Sequence, residues 1–280
     1  MGKIEEALKR SKETGGVGEE NLSRRRPTVF NQAANQSRER PLRDVPLLAE
    51  HATLLPLDAD TLEENRVVMT SQPAGPATAY KMLRTRMLHR VASNGWRTIA
   101  ITSSRTGAGK SLTAVNTAIS LAQEHHQQII LVDLDLRRPS VARVLGLQHK
   151  FGIVDYLSGK VPIEKIVTKT SIDRLLILPN DTPVDSSSEM LTSEKMTELV
   201  EIVSDPRNST IVIFDLPPLL ETDDFLAFSP LVDAVMLIVA EGETRQSDLL
   251  RSAEAISNLD ILGIVLNKSR GDEHPAGYYP

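Results

Sequence analysis

The amino-acid sequence predicts a doubly wound α/β fold, a mostly parallel sheet with helices on both faces, behind a largely disordered N-terminal segment. Three observations predict it. From Ala77 onward, apolar runs alternate with stretches of helical period. The runs are short and rich in Ile and Val, as strands buried on both faces must be. A Gly-rich loop joins the first run to the first clear helix.

The elements follow in order. Residues 2–13 alternate charge with Ile4, Ala7 and Leu8, a spacing that gives a short helix with one narrow apolar stripe. Residues 14–46 hold Gly15, Gly16, Gly18, the run Arg24-Arg25-Arg26 and a polar stretch. Such a segment buries too little apolar surface to offset its ordering entropy and reads as linker. The arginine run reads as a solvated cluster, with attraction to an anionic membrane surface as the sharper alternative. Residues 47–72 allow a small strand or helix and show no evident chemistry. Strands are expected at 98–102, 129–132, 174–178, 210–214, 234–240 and 261–266. Helices are expected at 110–124 and at 245–258, where Leu249, Leu250, Ala253 and Ile256 recur at helical spacing. The chain thus divides into an N-terminal segment 1–76, an α/β domain 77–270 and a flexible tail 271–280 carrying Tyr278 and Tyr279.

Composition excludes several classes. A chain of 280 residues with 40% hydrophobic and 25% charged residues has the ordinary mixture of a globular protein. The absence of cysteine rules out a disulfide scaffold and any thiolate metal or redox site. The longest apolar runs, such as Ala234 to Ala240, are too short for a membrane helix, and the first residues lack a hydrophobic stretch, so a cytoplasmic protein is expected. A net charge of −5 argues against nucleic acid as a partner.

Three motifs converge on a nucleotide. The first is the strand Thr98–Thr102 running into Ser103-Ser104-Arg105-Thr106-Gly107-Ala108-Gly109-Lys110-Ser111, with a helix behind it. Gly107 and Gly109 allow the backbone to turn its N–H groups around an anion, and the helix adds the positive end of its dipole. Lys110 would reach the β and γ phosphates of ATP from a crevice rather than the core, and the Ser111 hydroxyl would ligate Mg²⁺. Ser104 stands where such loops usually begin with glycine. The second motif, Ile129 to Pro139, ends a buried strand in Asp133 and Asp135, two acids on one side of an extended chain. Paired acids at the carboxyl end of a parallel strand face the ligand crevice and call for a divalent cation. The third, Ile211-Val212-Ile213-Phe214-Asp215 before Leu216-Pro217-Pro218, is an apolar strand ending in the acid that holds a nucleotide's metal.

In this order and wording the motifs resemble the bacterial tyrosine kinases of exopolysaccharide and capsule biosynthesis, which are built on a P-loop NTPase fold. Asp133-x-Asp135-x-Arg137-x-Pro139 is the most specific element. Phe151 to Gly159, Glu189-Met190-Leu191 and Leu262 to Asn267 add to it. The similarity covers about residues 77–268. It implies an ATP- and Mg²⁺-dependent protein-tyrosine autokinase whose acceptors lie on a Tyr-rich tail, here Tyr278 and Tyr279. It implies catalysis by Asp133 as base with Lys110 and Asp135, metal binding by Ser111, Asp135 and Asp215, and nucleotide contacts from Arg105, Thr106, Gly107, Ala108, Gly109, Lys110, Ser111, Leu112 and Asn267. It also implies a membrane-bound chain-length regulator as activator, recruitment to the inner face of the membrane, and neighbouring subunits of the same chain.

The sequence departs from that pattern at three places. Thr106 and Ala108 replace the usual Pro and Glu, and Arg105 sits where partitioning-type ATPases carry a signature lysine. Arg105 reads more readily as an exposed loop arginine than as a finger acting in trans. The subunit-contact motif is reduced to Thr78, Lys81 and Arg84, without its acid, and the acceptor tail is reduced to Tyr278 and Tyr279. A partitioning-type ATPase and a nucleotide-binding scaffold with weak kinase activity are therefore the alternatives.

Overall fold

The computed structural model describes residues 48–50, 52–69, 75–123, 127–205 and 209–269. The expected helix at 2–13, the linker with Arg24–Arg26, and Tyr278 and Tyr279 lie outside them.

Strands that are apolar at every position have no polar face to offer water, so they stack side by side between two helix layers. Six strands carry such apolar runs, and with two short ones they make an eight-stranded sheet: β1 (Thr53–Leu55), β2 (Thr98–Ser103), β3 (Gln128–Asp133), β4 (Thr168–Thr170), β5 (Leu175–Leu178), β6 (Thr210–Asp215), β7 (Ala234–Ala240) and β8 (Ile261–Asn267). Their order across the sheet is β1-β4-β5-β3-β6-β2-β7-β8. All pairs are parallel except β4 with β5, whose hairpin is closed by Asp173 and Arg174. The P-loop NTPase architecture expected from the sequence is present.

Alternate residues of each central strand point into opposite cores. Ile99, Ile101, Ile129, Leu131, Ile211 and Ile213 meet α2 (Pro76–Asn94) and α3 (Lys110–Ala122) on one face. Ala100, Ile130, Val132, Val212 and Phe214 meet α7 (Glu194–Val203) and α8 (Asp224–Phe228) on the other. Phe214 and Phe228 pack edge to face, with centroids 4.9 Å apart.

The six long strands fall within a residue or two of their expected positions. The helix expected at 245–258 is α9 (Gln246–Ala255). Residues 47–72 contribute more than one element. They place β1 on the sheet edge beside β4 and add α1 (Ala59–Glu64), whose Leu62 joins the α3 core. The residues around 53–69, read from sequence as the end of the N-terminal segment, are thus packed against the domain. Asp58 caps α1, its carboxylate accepting the Thr61 N–H at 2.9 Å. Short helices α4 (Val141–Leu145), α5 (Ile153–Leu157) and α6 (Ser187–Leu191) fill the crossovers. Among the described residues no helix is long and apolar enough to cross a membrane.

Candidate active site

Strand order builds the site. β2 lies between β6 and β7 and β3 lies beyond β6, so the chain leaves the centre of the sheet in both directions. Loops at the carboxyl ends of such strands open a crevice. The loop after β2 is the phosphate-loop sequence. Gly107 and Gly109 take φ of +92° and +85°, the left-handed region that a side chain disfavours. A Cβ on Gly109 would also run into the side-chain amide of Asn267. That amide donates to the Ala108 carbonyl at 2.8 Å and ties the end of β8 to the loop.

Lys110 opens α3 and turns back into the sheet. Its Nζ lies 2.7 Å from Asp135 Oδ2, 3.3 Å from Asp215 Oδ1 and 3.2 Å from the Ser111 hydroxyl. The sequence placed this lysine in a crevice rather than the core. The structure buries it, with its side chain 10% exposed. The reason is charge: three aspartates end the neighbouring chain segments, and the ammonium is their counter-ion. Burial alone would lower its pKa, yet Asp215 and Asp135 outweigh that and hold it above the ordinary lysine range.

Asp133 and Asp215 end adjacent strands in register. Both are fully buried. Asp133 Oδ2 accepts the Ser140 and Val141 N–H groups at 2.9 and 2.8 Å, two donors freed at the start of α4. Its Oδ1 and the Oδ2 of Asp215 have no hydrogen-bond partner. Burial, then the neighbouring Asp215, push Asp133 up to about 8, against the two N–H bonds. Burial also raises Asp215, although Lys110 and the Ser111 hydroxyl counter it. Asp135 lies past the strand end and accepts the Arg138 N–H at 3.1 Å.

Two carboxylates that sequence reasoning missed hold the loop from outside. Asp248 on α9 accepts Arg105 Nε at 2.7 Å, so Arg105 is half-exposed but fixed within its own chain. Glu221 accepts both the Thr106 N–H (2.8 Å) and the Thr106 hydroxyl (2.7 Å). Those bonds, with Arg138 and Arg105 nearby, outweigh burial and keep Glu221 below the usual range. Asp248 reads as a surface acid of an amphipathic helix, and Glu221 follows two prolines with no motif around it. Neither carries a signal in sequence. The unusual Ser104 is explained by a third contact: its hydroxyl accepts the buried Ser252 hydroxyl at 2.8 Å.

The structure gathers Lys110, Ser111, Asp133, Asp135 and Asp215 at one place and sets Gly109, Leu112 and Asn267 on a cavity of about 1180 Å³ beside it. Of the reduced contact motif, Thr78 is exposed, while Arg84 donates inward to the Ser120 carbonyl at 3.2 Å. No three His, Asp or Glu side chains among the described residues form a ready-made metal site. The donor set does fit Mg²⁺ brought with a nucleotide. The unpartnered buried Oδ2 of Asp215, the Asp135 carboxylate and the Ser111 hydroxyl, all gathered around Lys110 Nζ, are hard oxygen ligands, and phosphates and water complete such a shell.

Comparison with known proteins agrees with this geometry. The ParA family model, described as an NUBPL iron-transfer P-loop NTPase, matches residues 96–273. The tyrosine-protein kinase YwqD of Bacillus subtilis (strain 168) is 28% identical over 221 residues, covering 78% of this chain and 92% of YwqD. The succinoglycan biosynthesis transport protein ExoP of Rhizobium meliloti (strain 1021) is 30% identical over 75% of this chain, which spans 27% of ExoP. The crystal structure of the chimerical protein CapA2B2 superposes with a TM-score of 0.67 at 23% identity, covering 81% of this chain and 99% of the other, and attests the fold. The chain belongs to the ParA family of P-loop NTPases, and among them it is similar to proteins named as bacterial tyrosine kinases, YwqD in particular.

Proposed function

We propose that this protein is an ATP-dependent protein-tyrosine autokinase of exopolysaccharide or capsule assembly. The observation that carries this reading is the meeting of Lys110 with three aspartates from two motifs, two of their buried oxygens lacking partners. Bound Mg·ATP supplies the phosphoryl group and the cation that neutralises these acids.

The chain's own residues do the rest. Lys110 exchanges its carboxylate partners for phosphate oxygens, while N–H groups of the Gly107–Ser111 loop surround them. Ser111, Asp135 and Asp215 hold the metal. Asp133 takes the phenolic proton of the acceptor as the tyrosine oxygen bonds to phosphorus and ADP departs. Its affinity for a proton lies nearer the working pH than that of an ordinary carboxylate, which suits a base. Tyr278 and Tyr279 of a neighbouring copy are the acceptors in this reading. A membrane-bound chain-length regulator is the activator and brings a cytoplasmic protein to the inner face of the membrane.

A second reading, a partitioning-type ATPase, is favoured by the ParA match and by Arg105 at the signature-lysine position. The fixed pairing of Arg105 with Asp248 in its own chain speaks for the first reading. The test mixes full-length Lys110→Met with a variant lacking residues 271–280 in Mg·ATP and maps phosphotyrosine by mass spectrometry. Label on Tyr278 or Tyr279 of the Lys110→Met chain is expected. ATP hydrolysis without phosphotyrosine, in the mixture and in the parent alike, would favour the ATPase.

A further inference from the structure

We infer that the segment Leu57–Met69 walls a nucleoside pocket and that Asn116 is the residue positioning it there, so the nucleotide is held by the N-terminal segment as well as by the phosphate loop. This deepens the nucleotide reading above and rests on it. The segment precedes the region that the family model matches, residues 96–273.

Three features of the fold converge on this. The first is continuity. The cavity of about 1180 Å³ begins beside Gly109, Leu112 and Asn267, residues of the phosphate loop and its immediate contacts, and runs on between Val68, Met69 and Leu83. It is at or slightly above the volume of typical small-molecule pockets. A ligand whose phosphates sit on the loop must put its remaining part somewhere within reach. A nucleoside has flat apolar faces, and the far part of this cavity offers aliphatic walls.

The second is the attachment of the wall. Asn116 is buried, and its Oδ1 accepts the Val68 N–H at 2.7 Å while its Nδ2 donates to the Arg66 carbonyl at 3.3 Å. Asn116 stands on α3, the helix whose first residue is Lys110. One rigid helix therefore presents its N-terminus to phosphate and its side to the wall. From the other side, Asn65 donates to the Val144 carbonyl at 3.0 Å.

The third is the backbone of the wall itself. α1 closes with Arg66 N–H on the Glu63 carbonyl (2.9 Å) and Val67 N–H on the Leu62 carbonyl (2.8 Å). This ending puts its left-handed residue at Arg66, φ 58°, where glycine or asparagine is usual. A side-chain residue holds that conformation only where its surroundings fix it, and here the Asn116 amide takes the Arg66 carbonyl.

The test compares Mg·ATP with Mg·tripolyphosphate by titration calorimetry on the full-length protein. Tripolyphosphate samples the loop alone, so the ratio of affinities isolates the nucleoside pocket. The parent should prefer ATP, and Asn116→Ala should lose about tenfold or more of that preference while binding tripolyphosphate as before. Met69→Ala, which leaves the Asn116 bonds in place, should lose part of it and guards against a folding defect in the first variant. An unchanged ATP-to-tripolyphosphate ratio in both variants overturns the inference. Equal affinity of the parent for the two ligands overturns it too, leaving the phosphate loop in place. Binding of neither ligand by the parent defeats the nucleotide reading itself.

Discussion

Asp133 and Asp215 face each other as the last residues of adjacent parallel strands, both fully buried, each with one oxygen that accepts no hydrogen bond. Burial, and then the charge of Asp215, raise the proton affinity of Asp133, which reaches about 8 from an ordinary 3.8. The folded chain therefore holds a proton that the unfolded chain has released between those values. Stability is complete below the lower value and falls as the pH rises through the upper one. Asp133→Asn abolishes that titration. In the absence of nucleotide its melting temperature should exceed the parent's above about pH 8 and approach it below about pH 4. Thermal melts across that range measure the difference.

Lys110→Met should abolish ATP binding, and it should also weaken the fold. The lysine is the buried counter-ion of Asp135 and Asp215, so its loss strands them at a cost of about 3–5 kcal/mol. Adding Asp215→Asn should recover part of that loss without restoring nucleotide binding. Denaturant titration reads the first effect and calorimetry the second.

The acids should divide their labour. Asp135→Asn and Asp215→Asn should weaken Mg²⁺-dependent ATP binding by about tenfold or more, whereas Asp133→Asn should bind Mg·ATP nearly as well and slow transfer by about 10²-fold or more. Nucleotide affinity and single-turnover phosphorylation, measured on the same samples, separate the two classes.

Most of this architecture was legible in the sequence because buried parallel strands are uniformly apolar and the three motifs sit at their ends. Lys110, Ser111, Asp133, Asp135 and Asp215 were readable for the same reason. What was not legible depends on tertiary contact. β4 is three residues long and reads Thr-Lys-Thr, with no apolar run to mark it. β1 and α1 join the sheet and core through Thr168–Thr170, α3 and α4, all distant in sequence. The burial of Lys110 follows from three acids converging, which spacing along the chain does not express. The partners of Ser104, Arg105 and Thr106 are Ser252, Asp248 and Glu221, each more than 110 residues away.

Gly109→Ala should disable the loop. The left-handed φ of +85° already strains an alanine, and its methyl would displace the Asn267 amide from the Ala108 carbonyl. ATP affinity should fall by about tenfold or more, while an Asn267→Ala, Gly109→Ala double variant should lose less than the sum of the two changes, because the clash is gone. Calorimetry on the four proteins completes the cycle.

The most direct measurement is the fate of the γ-phosphate when the full-length protein is incubated with Mg·ATP, followed by mass spectrometry of every tyrosine, with Asp133→Asn run beside it at saturating nucleotide. Phosphotyrosine is expected on Tyr278 or Tyr279 in the parent, with a much slower appearance in Asp133→Asn despite full occupancy. Free phosphate accumulating with all four tyrosines unmodified would contradict it.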